Sequence, residues 1–407
     1  MRRLFIRYRS PNSLRLGFSA ATHCLGALLV VMSAMGCTRA QSDEAAEAIQ
    51  LPAVVSLDSM PLRQWGEAEG LSLATVSGMT LLDDGSIVVA DQSEPAVYLL
   101  AWEADSIRQL GRAGSGPGEY RRPEVLGTTD DGRIVVRDLQ QFRVMYYLDD
   151  GSLSSSTGPG GRIEGVIWAP VSVLGEGQLV TSAAQHGVPG PAGSLRRLEA
   201  EVAITDVAGK VRTSLGRFPF ADFVSLHLSV GEGQMIHGPQ YFGWKLHVTA
   251  GPRFVVIGAG GGHEIRVYGL DGDTLGTIHV ADERLPLSDA DRQAFMERAK
   301  SQTQFNMTSA SLAPERFADS LPVFGGIVAT RTGTVWVVAP HWSGRTPAYM
   351  TGYSLQGTSL GRLRLPDGFT PLAINDSLVA GYRVDSSDVP SIVGYRLRLT
   401  APVGESK

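Results

Sequence analysis

The sequence predicts an all-β chain folded as a six-bladed β-propeller, and three observations predict it: the composition, a repeated strand–turn–strand element, and the spacing of its turns. Among 407 residues, 48 are glycine and 22 proline, while only 19% are charged. Such a chain has many turns and little material for long amphipathic helices. The repeated element occurs at residues 80–91 (TLLDDGSIVVAD), 127–138 (GTTDDGRIVVRD), 172–182 (SVLGEGQLVTS), 249–258 (TAGPRFVVIG), 329–339 (ATRTGTVWVVA) and 373–381 (AINDSLVAG). Its turn residues, Gly85, Gly132, Gly177, Pro252, Gly333 and Asp376, are spaced by 47, 45, 75, 81 and 43. A period in the mid-forties is the length of a four-stranded propeller blade, with two intervals enlarged.

Each unit is completed by a second hairpin. Residues 268–278 (YGLDGDTLGTI) and 353–363 (YSLQGTSLGRL) match in Tyr, Leu, Gly, Leu and Gly, and weaker copies end at Phe218, begin at Tyr146 and begin at Leu99. The last unit shows only three strands, whereas the first is preceded by an orphan, residues 56–70 (SLDSMPLRQWGEAEG). Its stretch 62–66 is expected to complete the sixth blade and close the ring, which removes open sheet edges. A pair of sandwiches is the competing all-β reading, and four-stranded units of about 45 residues suit blades better.

The glycine-rich run GRAGSGPGEYRRP at residues 111–123 looks like a phosphate cradle in isolation. A cradle of that kind needs a helix behind it to aim free N–H groups at the anion. Here Pro123 leads into the next inner strand, so the run is expected to be a crossing from the rim of one blade to the axis of the next. GAGGGHE at residues 258–264 is likewise followed by a strand pattern, IRVYGL, and is rejected as a dinucleotide site.

In a blade the first and third turns lie on one face and the remaining connections on the other. The former are tight (Asp84-Gly85, Asp131-Gly132, Asp150-Gly151, Asp271-Gly272, Gln356-Gly357), so the enlarged stretches 182–195, 218–243, 281–325 and 339–347 are expected to emerge together on the opposite, loop-rich face. The longest carries the one expected helix: Ser288 caps it, Asp291 sits three residues on, and Ala290, Ala294, Phe295, Met296 and Ala299 form an apolar side. It is expected to pack as a lid against its own loops.

Candidate ligand-binding residues are placed on that face: His237, Tyr241 and Trp244 in the aromatic-rich insertion with Phe218, Phe220, Phe223, Phe242 and His227; His341, Trp342 and Arg345 from another; and Tyr120, Arg121, Arg122 and Asp138 at the glycine-rich crossing. Aromatic faces with a few polar groups suit a sugar, peptide or other small ligand, though the same aromatics also serve to pack the insertion onto the ring. The aspartates that recur at strand ends, Asp91, Asp138 and Asp385, are expected first to accept backbone N–H bonds. No metal-ligand spacing or cofactor motif occurs, and no catalytic residue can be assigned.

Residues 130–151 (DDGRIVVRD…FRVMYYLDDG), 265–272 (IRVYGLDG) and the crossing 111–123 resemble the bacterial six-bladed propellers related to NHL repeats, over nearly all of residues 52–400. The resemblance implies the fold, while propellers host binding, scaffolding and catalysis alike.

The N-terminus differs. Arg2, Arg3, Arg7, Arg9 and Arg15 precede an apolar run ending SAMGC, which resembles a lipoprotein export signal. The resemblance implies removal of residues 1–36, a lipid on Cys37, a flexible tether over 37–51, the propeller over 52–400 and a tail over 401–407. Cys37 as an ordinary thiol beside a simple cleavage site, or the run as an uncleaved anchor, are the alternatives. Loss of the five arginines takes the formal net charge from −5 to −10, which argues against nucleic acid as a partner. The expected protein is therefore tethered in the bacterial envelope and binds an envelope protein or small ligand through its loop-rich face, with a hydrolase or lyase acting on a sugar or lactone through Asp, His and Arg of that face as the alternative.

Overall fold

The structure is a computed structural model that describes residues 54–157, 162–163, 166–184, 190–227, 235–301, 313–341, 346–385 and 389–400. The leader with Cys37, the C-terminal tail, Trp342 and Arg345 lie outside the described residues. The fold is mostly β, built from antiparallel sheets in the manner of a β-propeller.

The first sheet comprises Val76–Leu81, Ile87–Asp91, Ala96–Ala101 and Ser106–Gln109. The second comprises Pro123–Thr128, Ile134–Asp138, Arg143–Tyr147 and Leu153–Thr157. A third has Ala169–Val173, Leu179–Ala184, Leu195–Thr205, Val211–His227 and, as a fifth strand, Met235–Pro239. The fourth is Leu246–Gly251, Phe254–Ala259, Glu264–Tyr268 and Thr274–His279, and the fifth is Gly326–Ala329, Val335–Val338, Tyr349–Tyr353 and Ser359–Arg364. The sixth orders Phe369–Ile374, Leu378–Val384 and Pro390–Thr400, and its last strand pairs with both Val54–Leu57 and Arg63–Trp65.

Within each sheet the strands follow one another in chain order, and the first strand of each sheet lies against the first strand of the next, the sixth returning to the first. The second strands show what this does to sequence. Ile87–Asp91 is buried at every position because a neighbouring sheet covers each face, and such a strand reads as a continuous apolar run rather than an alternation. The core is accordingly a set of slabs between sheets. Val88, Ala90 and Leu99 meet Ile134, Val136 and Met145 between the first and second. Trp65, Met79, Val89 and Leu100 meet Leu378, Ala380 and Ile392 between the first and sixth.

The tight turns repeat one hydrogen-bond pattern. Gly85 N–H donates to Leu82 O, Gly132 to Thr129 O and Gly333 to Thr330 O, while Leu82, Thr129 and Thr330 N–H reach the carbonyl four residues on. The positive φ at Gly132 (80°) is the backbone reason for glycine there.

One expected loop is a strand. Residues 218–227 continue the outer strand of the third sheet, pairing with Leu195–Glu199 beyond the point where the second strand ends at Ala184. Pro219, which argues against a strand, is accommodated at a bulge: the register shifts between Leu198 and Glu199, leaving Phe220 without a direct partner. The helix forms at Asp289–Ser301. Ser288 Oγ accepts from Asp291 N–H (3.1 Å), and the Asp291 carboxylate accepts from Ser288 N–H (3.3 Å) and Oγ (2.6 Å), a reciprocal N-terminal cap. Phe295 and Met296 pack on Leu287, Phe317 and Leu321 with Tyr241 and Phe242, so this face of the helix is covered by its own insertion and by the end of the previous one.

Candidate functional site

The centre of the ring has two distinct ends. At the tight-turn end, the inner strands and their turns enclose a cavity of about 150 Å³ to which each sheet contributes a polar group: Thr80, Thr128, Ser172, Thr249, Arg331 and Asn375. Arg331, in a turn of the fifth sheet, reaches the second sheet. Its Nη2 lies 2.9 Å from Asp130 Oδ1 and its Nη1 3.4 Å from Thr128 Oγ1. Beside it, a cleft of about 510 Å³ opens between the first two sheets, lined in part by Asp83, Asp84, Asp149, Asp150, Arg108 and Arg331.

At the loop-rich end the repeated aspartates are structural. Asp91 is fully buried and accepts N–H bonds from Ala74, Thr75, Ser93 and Glu94. Asp138 accepts from the amides of Arg121, Gln140 and Gln141 and from Gln141 Nε2. Each carboxylate ties the incoming crossing to the end of a second strand, and its oxygens are taken up by the chain. Tyr120 is buried as well, its hydroxyl bonded to that of Tyr147, and burial pushes its ionisation far above the ordinary range. Arg121 and Arg122 are exposed, and Arg121 Nε donates to Ser115 Oγ (2.8 Å).

The glycine-rich crossing does wrap an anion, and the anion is its own. Ser115 and Gly116 N–H groups donate to Glu119 Oε2 (2.9 and 2.7 Å), and Arg112 Nε lies 2.9 Å from Oε1. These bonds, led by the Gly116 amide, hold the Glu119 carboxyl below its ordinary range. A parallel pairing of Arg112–Ala113 with Glu119–Tyr120 closes the loop around it.

The other candidates sit on the insertions of the third to fifth sheets. Trp244 is buried, donates from Nε1 to Asp222 Oδ2 (2.9 Å), and carries the Arg197 guanidinium over its ring at 5.0 Å. His237 Nδ1 lies 3.0 Å from Ser225 Oγ, while its Nε2 is buried without a hydrogen-bond partner. Burial, then Arg196, lowers its pKa. The Tyr241 ring packs at a tilt against Phe295 (4.6 Å) and Phe317 (5.4 Å), and its backbone pairs with Phe317. His341 Nδ1 lies 3.2 Å from the Ala339 carbonyl, and burial, partly offset by that bond, lowers its pKa.

The structure thus gathers His237, Tyr241 and Trp244 around the third-sheet hairpin and its exit, and leaves Tyr120, Arg121, Arg122 and Asp138 at a different crossing. Two further groups near these insertions carry no signal in the sequence. His247 lies on the same face of its strand as the cavity-lining Thr249, its ring 5.6 Å from Phe324. Burial, with Lys245 and His341 adding repulsion, pulls its pKa down to about 3, so it is a neutral imidazole at pH 7. Arg316 is 7% exposed. Neutral imidazoles, a lysine and an arginine at this end suit hydrogen bonding and charge neutralisation of an oxyanion.

No family model matches the chain, and no curated protein matches it. Among solved structures, the chain is similar to a protein of Bacteroides fragilis described as exported, at 11% identity over 87% of this chain and 97% of that one, with a TM-score of 0.49. A member of the DUF4221 family from Bacteroides vulgatus gives 11% identity over 85% and 99%, with a TM-score of 0.47. Virginiamycin B lyase from Staphylococcus aureus gives 9% over 81% and 98%, with a TM-score of 0.41. Likenesses this remote carry nothing about the chemistry of the site.

Proposed function

We propose that this is a lipid-anchored, extracytoplasmic binding module: residues 1–36 are removed, Cys37 is lipidated, and residues 52–400 form a six-bladed propeller that engages a ligand or protein at its loop-rich end. Pairing of the N-terminal strand Val54–Leu57 with Pro390–Thr400 supports closure of the ring by the two chain ends. The arginine-rich leader ending SAMGC supports export and anchoring.

One observation carries the binding reading. Two insertions that leave the ring at different crossings meet, through the Tyr241–Phe317 backbone bridge and the shared cluster of Leu287, Phe317, Leu321 and Phe295. A propeller does not need this body to close, so a built platform on one face points to recognition.

The test uses two exposed apolar residues at opposite ends. A photo-reactive amino acid replaces Leu285, on the platform side, or Val207, in a tight turn of the third sheet; they are 53% and 46% exposed. Illumination of cells is expected to yield a discrete adduct, with a protein or a small ligand, from position 285. Adducts only from position 207 would overturn the reading. The anchor is tested separately: Cys37→Ala is expected to abolish labelling by palmitate and release the protein from the membrane.

A further inference from the structure

We propose that the guanidinium of Arg316 anchors an oxyanion, a carboxylate or phosphate carried by a small ligand, at the loop-rich end. This rests on the reading that the loop-rich end binds a ligand and names the chemistry it takes.

The first ground is burial without a counter-charge. Arg316 is 7% exposed, its Nε is buried without a hydrogen-bond partner, and no carboxylate lies within ion-pair distance of it among the described residues. Other arginines that are partly covered find acceptors. Arg137 donates to Glu124 at 3.1 and 2.7 Å, and Arg143, whose Nε is likewise unpartnered, donates from Nη2 to the Gly116 and Glu119 carbonyls at 3.2 and 3.1 Å. No hydrogen bond leaves the Arg316 guanidinium among the described residues. A buried cation left unpaired is costly, whereas one closed by an oxyanion through a forked pair of N–H bonds is not.

The second ground is the cradle. The Arg316 guanidinium carbon sits 4.8 Å from the centre of the Tyr241 ring, and Gly238 faces it from the fifth strand of the third sheet. A Cβ at Gly238 would stand 3.2 Å from Nη1 and 3.5 Å from Nη2, so glycine keeps this side of the fork clear. Backbone bonds hold the parts in place: Tyr241 N–H donates to Arg316 O (2.6 Å), and Ala318 N–H to Tyr241 O (3.0 Å).

The third ground is a second cation on the same aromatic pair. Arg292, from the helix, lies over Phe317 at 5.6 Å and donates from Nη2 to Ala318 O (3.3 Å). Tyr241 and Phe317 are therefore each covered by a guanidinium. Stacking on an aromatic face adds attraction but no neutralisation, so two guanidiniums stand beside an apolar platform. An acid with an apolar body fits that arrangement.

The experiment measures thermal unfolding of the purified protein with inorganic phosphate or with acetate, each against chloride at equal ionic strength. At an anion concentration about tenfold above its Kd, the wild-type midpoint should rise by about 2 °C. Arg316→Met should lose that rise, and should unfold no earlier than wild type when no anion is added, because it removes an unneutralised charge. Should Arg316→Met fail to fold, Gly238→Ala, which keeps the charge and crowds the fork, should lose the rise instead. A rise with acetate alone assigns a carboxylate, and with phosphate alone a phosphoryl group. Equal rises in wild type and both variants, or none in wild type with either anion, would overturn the proposal. Adducts at position 285 that persist alongside such a result would leave the binding reading standing and remove this one alone.

Discussion

The two ends of the ring spend their charges differently. At the tight-turn end Arg331 meets Asp130, Arg108 donates to the Asp150 carbonyl and Thr332 Oγ1 to Asp376 (2.7 Å), so the groups that converge there complete one another. At the loop-rich end, Asp91 and Asp138 are as buried as any residue in the protein and are saturated by backbone donors, while Arg316 Nε and His237 Nε2 are buried with none. Burial of a charged side chain therefore does not mark a binding group. Unpartnered neutral groups such as Trp65 Nε1, Trp336 Nε1 and Tyr146 OH lie in the core as well, so what sets Arg316 apart is that the buried group is a cation, for which a missing partner costs most.

Four substitutions would break or sharpen that contrast. The largest effect is expected at Asp138. Asp138→Ala strands three backbone N–H groups and Gln141, and should cost about 3 kcal/mol or more in urea unfolding; a loss below about 1 kcal/mol would return Asp138 to the list of available ligand groups. His247 comes next. Its folded pKa lies near 3 against 6.5 unfolded, so between those values the unfolded chain holds the extra proton and stability falls as pH falls. The slope approaches about 1.4 kcal/mol per pH unit, amounting to about 2.5 kcal/mol between pH 7 and pH 4.5, and His247→Asn should remove it from the pH dependence of the urea midpoint.

Tyr147→Phe should cost about 1 kcal/mol by withdrawing the partner of the buried Tyr120 hydroxyl. Arg331→Ala should cost least, below about 0.5 kcal/mol, because the pair it breaks is 44% and 49% exposed. A loss above about 2 kcal/mol there would mean that the tight-turn end holds the ring together in a way the loop-rich end does not.

The periodic parts of this fold were readable in one dimension. Gly85, Gly132 and Gly333 mark turns because only a few residues tolerate their backbone, and Ser288 with Asp291 marks a helix start because the cap is local. The crossing at residues 111–123 is legible as a link between an outer and an inner strand, while Glu119 as its internal anion is not, since its bonds depend on the loop folding back on itself. Residues 218–227 fall in the enlarged interval 218–243 and look like an insertion in one dimension; the strand depends on pairing with Leu195–Glu199, which no local pattern announces, and on a bulge that accommodates Pro219. Arg316 and His247 carried no signal at all: their environments are set by residues from other sheets and other insertions, and nothing beside them in the chain announces burial.

The most direct measurement is a crystal structure of the protein grown with phosphate, or with acetate, in place of chloride. An oxyanion held by the Arg316 guanidinium near Tyr241, with none between Arg331 and Arg108, is the predicted result. An oxyanion at the tight-turn end with none at Arg316, or an Arg316 paired to a carboxylate of its own chain, would contradict it.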